Sequence, residues 1–183
     1  MVASRPMNPP LWAPWRMEYI LGPKDSGSCV FCGIETASEE ERSGRLVVCA
    51  RERAFVMMNR YPFAPGHLLV MPYRHVDSLE KLDEAEHDDL FRLVRDSCVR
   101  LRKAVRAEGL NVGCNLGAVA GAGVAAHLHV HIVPRWSGDT NFMPVIGETR
   151  VVSQALSETR AHLATYFADL NASEPRAAAG VAP

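Results

Sequence analysis

From residue 127 the chain reads HLHVHIVPRW, three histidines at every second position with Leu128, Val130 and Ile132 between and after them. A strand sends successive side chains to opposite faces. The alternation therefore predicts a strand over His127–Val133 in which His127, His129 and His131 share one face, about 6–7 Å from one to the next. The aliphatic residues take the other face and enter a core. A chain carrying this run must build a sheet with one side buried and a row of imidazoles converging on a site.

The neighbouring segments supply the rest of such a sheet. β-formers cluster between turn residues at 45–49, 54–58 and 67–72, which reads as three strands. From Asp83 to Ala107 the period changes. Leu90, Leu93, Val94, Cys98, Leu101 and Val105 recur at three- and four-residue steps, the mark of an amphipathic helix. Asp83 with Glu86 forms a capping signal, and Gly109 reads as the stop. A strand at 111–115 follows, joined to the histidine strand by the Gly/Ala-rich LGAVAGAGVAA. A second amphipathic helix spans 153–170, with Leu156, Leu163, Tyr166, Phe167 and Leu170 as its apolar side. Strands, a long helix, strands and a C-terminal helix predict an α+β fold with a mainly antiparallel sheet.

A length of 183 residues suits one domain. The expected division is a Pro-rich, aromatic arm over 1–28 containing LWAPWRMEYI, a domain over 29–171, and a disordered Ala/Gly/Pro tail over 172–183. A formal net charge of −1 offers no general affinity for polyanions and argues against nucleic acid as a partner. No run approaches the roughly 20 apolar residues that span a bilayer, and MVASRPMNPP lacks the apolar core of an export signal. The expectation is a cytoplasmic protein with no membrane partner. Cys29 and Cys32, two of the five cysteines, stand in C-x-x-C spacing within the turn-rich GPKDSGSCVFCGI. In a cytoplasmic chain that pair favours metal or redox use over a disulfide framework. Its place in a loop, rather than at the start of a helix after a strand, favours metal. Cys49, Cys98 and Cys114 lie in apolar contexts and read as core; His87 and His162 lie among charged residues on helices and read as solvated.

Three chemistries fit the histidine run. The imidazoles could be satisfied core or surface groups, which is ordinary for one histidine and rare for three in register. They could hold a hydroxide-generating zinc, although residues at i, i+2 and i+4 seldom converge on one small ion. Or a neutral imidazole could attack phosphorus while its neighbours organise phosphate oxygens. The Gly-rich segment upstream suits the third, because small residues let backbone N–H groups approach a phosphate.

HLHVHIV followed by PRW resembles the signature of the histidine triad family of nucleotidyl hydrolases and transferases. NRYPFAPGHLLVMPYRHV (59–76) is similar to that family's nucleoside-binding strand and turn, and NVGCN to a further strand, so the likeness covers roughly 29–145. The resemblance implies an α+β domain, usually dimeric or a higher homo-oligomer, that binds a nucleoside phosphate and cleaves at its α-phosphorus. It makes His129 the nucleophile, His131 a phosphate and leaving-group contact, and His67 a supporting histidine. It places Asn59 at the ribose hydroxyls and Asn115 near the α-phosphate. Gly123 and Val124 stand where many members carry Gln followed by Ser or Thr, so only backbone donors, such as that of Gly123, carry over there. Trp136, LWAPWRMEY and NFMPVIG most resemble the branch acting on diadenosine tetraphosphate, which adds Trp136 to the nucleotide-binding set; NRYPFAPGH also resembles the fragile histidine triad branch. The resemblance also completes a structural zinc site, with His75 and His127 joining Cys29 and Cys32, and implies no organic cofactor. The competing activities are phosphoramidase or adenylylsulfate cleavage, or a binding module with little turnover.

Overall fold

A computed structural model describes residues 29–139 and 155–171. The expected arm over 1–28, the tail over 172–183, the NFMPVIG segment and the first residues of the second helix lie outside the described residues. Within them, the elements in chain order are α1 (Glu39–Gly44), β1 (Val47–Ala50), β2 (Ala54–Met58), β3 (Leu68–Pro72), α2 (Glu84–Val105), β4 (Gly109–Cys114), β5 (Val130–Arg135) and α3 (Leu156–Phe167). The strands form one sheet in the order β1-β2-β3-β5-β4 with every pairing antiparallel. The fold is α+β, as the alternation of periods predicts.

α2 runs because its apolar residues fall on one stripe, and it starts where its cap is satisfied. The Glu86 amide donates to Asp83 Oδ1 at 2.8 Å and the Asp83 amide to Glu86 Oε2 at 3.0 Å, a reciprocal box. Leu90, Leu93, Val94 and Leu101 are buried. The stop differs from the expected Gly109, which instead opens β4. Arg106 takes the left-handed conformation (φ 50°) that ends the helix, and the Trp136 indole N–H is shared between the Val105 and Arg106 carbonyls at 3.2 and 3.1 Å. Two carbonyls left over at the helix end thus find a donor.

The sheet is packed on both faces. One face, built from Val48, Val56, Met58, Leu68, Val70, Val130 and Ile132, meets Leu90, Leu93 and Leu101 of α2 and Leu163 and Phe167 of α3. On the other, Val47, Phe55, Met57, Leu69 and Met71 are covered by Phe31 and Ile34 from the cysteine segment. Burial on two sides is why β1, β2 and β3 read as unbroken apolar runs rather than alternations. Tyr166, expected on the apolar side of α3, is 36% exposed and meets His162 edge-on; Thr159 is buried instead. Cys49 is buried in the first core, and that burial pushes its thiol up to about 12.

The histidine strand is shorter at its start than the alternation predicts. β5 begins at Val130, so only His131 of the three sits in paired strand, opposite Leu69 on β3 and Gly113 on β4. Residues 127–129 approach it as a connecting segment, with the Leu128 amide donating to the Val76 carbonyl at 2.6 Å. Leu128, Val130 and Ile132 still enter the first core. The alternation of faces survives although the ladder does not.

Candidate active site and metal centre

The cysteine segment is a tight turn held from two sides. Cys32 N donates to the Cys29 carbonyl at 3.1 Å, and the Phe31 amide donates to Cys29 Sγ at 3.4 Å. Gly33 follows at φ 79°, a backbone that other residues adopt only under strain. Arg45 reaches in from the start of the sheet to donate to the Val30 and Cys32 carbonyls at 2.7 and 2.8 Å, and Arg42 donates to those of Ile34 and Glu35. Neither arginine stood out in the sequence, where each is one of many charges.

This turn faces His75 and His127. One ligand atom from each of Cys29, Cys32, His75 and His127 lies within 4.8 Å of all the others. Cys29 Sγ is 3.4 Å from His127 Nδ1, and Cys32 Sγ is 3.3 Å from His75 Nδ1 and 3.6 Å from His127 Nδ1. A tetrahedral ion with two sulfur and two nitrogen ligands has edges of roughly 3.4–3.8 Å, so the donors stand nearly where such an ion needs them. His127 is oriented for it. Its Nε2 faces the Pro72 carbonyl at 2.9 Å and must carry the proton, which turns the bare Nδ1 toward the sulfurs. Burial pushes the Cys32 thiol up to about 11, with Cys29 beside it adding to the rise. A thiol raised in this way ionises readily only beside a cation. The four residues fit a metal ion.

The other two histidines of the run begin two residues further on, and their tautomers follow from their partners. His129 Nδ1 faces the His127 carbonyl at 2.7 Å. A carbonyl only accepts, so Nδ1 holds the proton and Nε2 carries the lone pair. Burial holds this imidazole below its ordinary pKa, in the neutral form. The ring of His131 lies 4.9 Å from that of His129 at 69°. Behind it stands His67, fully buried, with Nε2 2.9 Å from His131 Nδ1. The Phe63 amide donates to His67 Nδ1 at 3.1 Å. That fixes His67 as an Nε2–H donor to His131 Nδ1, which in turn puts the proton of neutral His131 on Nε2. The pair therefore offers complementary atoms, a lone pair on His129 Nε2 and an N–H on His131 Nε2.

The remaining sequence candidates are placed less uniformly. Asn59 Oδ1 accepts from the Tyr61 amide at 2.9 Å, and its Nδ2 lies 3.4 Å from His67 Nδ1. It shapes the turn that delivers His67, with hydrogen-bonding capacity to spare. Asn115 directly follows Cys114, the last β4 residue, which pairs with Val130; its Nδ2 donates to the Gly121 carbonyl at 3.4 Å. Gly123 is exposed in the loop before the histidines, while Val124 packs against the second core. Trp136 lies beyond the histidine run. It stands five residues beyond His131, about 16 Å along the strand, with its indole committed to the end of α2. A cavity of about 670 Å³ lined by Glu35, Arg53, Arg74, Lys81, Leu82, Asp83 and Glu86 includes none of the histidines. Its three cations are already paired, Arg53 with Glu52, Arg74 with Glu86 and Lys81 with Asp77.

Known proteins resemble this chain over much of its length. The family model of the HIT domain matches residues 40–138. A Mycobacterium tuberculosis protein named AP-4-A phosphorylase is 42% identical over 166 residues, covering 86% of this chain and 84% of that one. Among solved structures, a histidine triad nucleotide-binding protein of Sulfolobus tokodaii superposes with a TM-score of 0.57 at 28% identity, covering 68% of this chain and 85% of its own. A zinc-bound histidine triad family protein from Mycobacterium smegmatis gives 0.61 at 24% identity, covering 78% and 95%, a likeness of fold.

Proposed function

This chain belongs to the histidine triad family, and on that footing we propose that it cleaves dinucleoside polyphosphates, AP-4-A foremost, at the α-phosphorus with His129 as nucleophile. The observation that carries the reading is the tautomer pairing. His129 Nε2 attacks the α-phosphorus, the bond from that phosphorus to the bridging oxygen breaks, and the polyphosphate nucleotide departs with the bonding electrons. His131 Nε2–H hydrogen-bonds the departing or non-bridging oxygens, and His67 holds it in that tautomer. The nucleotidyl group then rests on His129 until an acceptor oxygen attacks phosphorus and frees the imidazole. Phosphate is the acceptor in this reading, supported by the 42% identity to a protein named for phosphorolysis. Incubation with AP-4-A, with and without phosphate, tests it. ADP and ATP formed only with phosphate are expected; AMP and ATP formed without it would make water the acceptor, and no turnover would overturn the activity.

The metal is zinc in this reading, held by Cys29, Cys32, His75 and His127. When bound it supplies a fixed four-ligand anchor and no open position for water. The partner is a second copy of the chain. β4 is an edge strand of the sheet, with Asn111 and Gly113 exposed and Val112 about half exposed, and pairing edge to edge would cover it. Sedimentation at micromolar concentration should give at least a dimer; a monomer there sinks that part. The proposed setting is the cytoplasm, where thiols stay reduced for metal; among the described residues, no helix is long and apolar enough to cross a membrane.

Asn59 gives the substrate side its own test. Its turn bond to Tyr61 leaves donors and a lone pair for a ribose hydroxyl. Asn59→Ala is expected to weaken use of the ribonucleotide substrate by roughly 1–3 kcal/mol in kcat/KM. Deoxyribose substrates should suffer less, because part of the contact is already missing. An equal penalty for ribose and both deoxyribose forms would reduce Asn59 to a turn residue.

A further inference from the structure

The two residues inside the cysteine turn differ in environment. Val30 is 60% exposed, whereas Phe31 is 8% exposed and belongs to the same buried cluster as Ile34, Phe55 and Met71. The Phe31 ring stands edge-on to His127, 5.6 Å between centroids at 87°, and tilted against His129, 5.4 Å at 57°. His129 thus has both Phe31 and His131 as ring neighbours, with its Nδ1 tethered to the carbonyl of His127.

We propose that Phe31 is a positioning residue for His129, and that the cysteine turn serves the reaction through this ring. The inference rests on His129 being the nucleophile. A single hydrogen bond at Nδ1 fixes one atom of an imidazole and leaves the ring plane to its neighbours. Phe31 adds a second ring contact to that of His131, and as a buried apolar side chain it keeps water from a polar, buried spot that would otherwise accept it. Water there would compete for the Nδ1 proton and donate to Nε2, which lets the other tautomer form. Protonated at Nε2, a neutral imidazole has no lone pair aimed at phosphorus. The ring is held in turn by its own backbone: its amide is bonded to Cys29 Sγ, and Arg45 holds the carbonyls of Val30 and Cys32 on either side.

The test compares wild type, Phe31→Leu and Phe31→Ala as full chains with measured zinc content. It reads kcat and KM for AP-4-A and the ¹⁵N signature of the His129 tautomer. At full zinc, kcat is expected to fall roughly three- to tenfold for Leu and about a hundredfold for Ala, with KM within about twofold, the scale of a slightly misplaced reacting group. The Nδ1-protonated signature of wild type should give way to a mixture in Ala. Unchanged kcat at full zinc, a loss confined to KM, or an unaltered tautomer beside a lowered kcat each overturns the proposal. Should Phe31→Ala lose zinc or fail to fold, Phe31→Leu decides by the same criteria. If wild type itself does not turn over AP-4-A, the functional reading fails, and the tautomer comparison still decides whether Phe31 orients His129.

Discussion

His129→Ala is expected to lower kcat with AP-4-A by roughly four to six orders of magnitude, the scale seen when a nucleophile that acts as a unit with its partners is removed. Without Nε2 the nucleotidyl intermediate cannot form, and direct attack by phosphate or water must cross the barrier that two easier steps avoid. Nucleotide affinity should stay within a few-fold, because the ribose and polyphosphate contacts assigned to Asn59, Asn115 and the Gly-rich loop are untouched. The fold should hold too. The His129 side chain is small and faces the site, while Leu128 and Val130 on either side supply the burial in the first core. Rapid quenching with labelled substrate adds a direct readout: an acid-labile nucleotidyl adduct in wild type and none in the variant. Near-normal turnover by His129→Ala, or an adduct on another residue, would sink the assignment.

What could be read beforehand follows from how many physical signals coincide at each element. α2 was legible because apolar period, cap and length all agree over 22 residues. α1 leaves no comparable mark although Ser38 and Glu41 form the same kind of capping box, because none of its six residues is buried and an apolar period has nothing to mark. β5 starts three residues later than the alternation predicts for a related reason. Side-chain alternation reports which face each residue takes, and residues 127–129 keep the alternation while their backbone pairs with Val76 rather than with a neighbouring strand. The histidine site is legible in outline because alternation and the C-x-x-C spacing are local. What sequence could not supply is everything carried by backbone carbonyls and amides. The His127 carbonyl sets the tautomer of His129, the Phe63 amide sets that of His67, and the Trp136 indole is drawn to the end of α2. Those partners depend on the path of the chain and not on residue type.

Replacing Cys32 by Ala is expected to release the metal and lower the melting temperature by roughly 10 °C or more. The size follows from two bounds. Structural zinc is worth about 10–16 kcal/mol in peptides that have no other core, whereas here α2, α3 and one face of the sheet form a core that contains none of the four ligands. The loss should therefore be a fraction of that range, several kcal/mol, and each kcal/mol moves the transition of a chain this size by about 2–4 °C. The damage falls on the second face. Without the metal, the cysteine turn keeps its internal bonds and the arginine bonds to its carbonyls but loses its tie to His75 and His127, and Phe31 and Ile34 hold less firmly over Val47, Phe55, Met57, Leu69 and Met71. Two alanines separate stability from chemistry. Cys32→Ala should lose metal, melting temperature and activity together, because the His127 backbone that orients His129 is also the backbone of a ligand. His129→Ala should lose activity alone, with one zinc retained per chain. Metal analysis of protein purified without added zinc, paired with thermal melts of both variants, decides it. Wild-type protein that carries no metal, or a Cys32→Ala melt that coincides with wild type, would leave the four residues as neighbours without a structural ion.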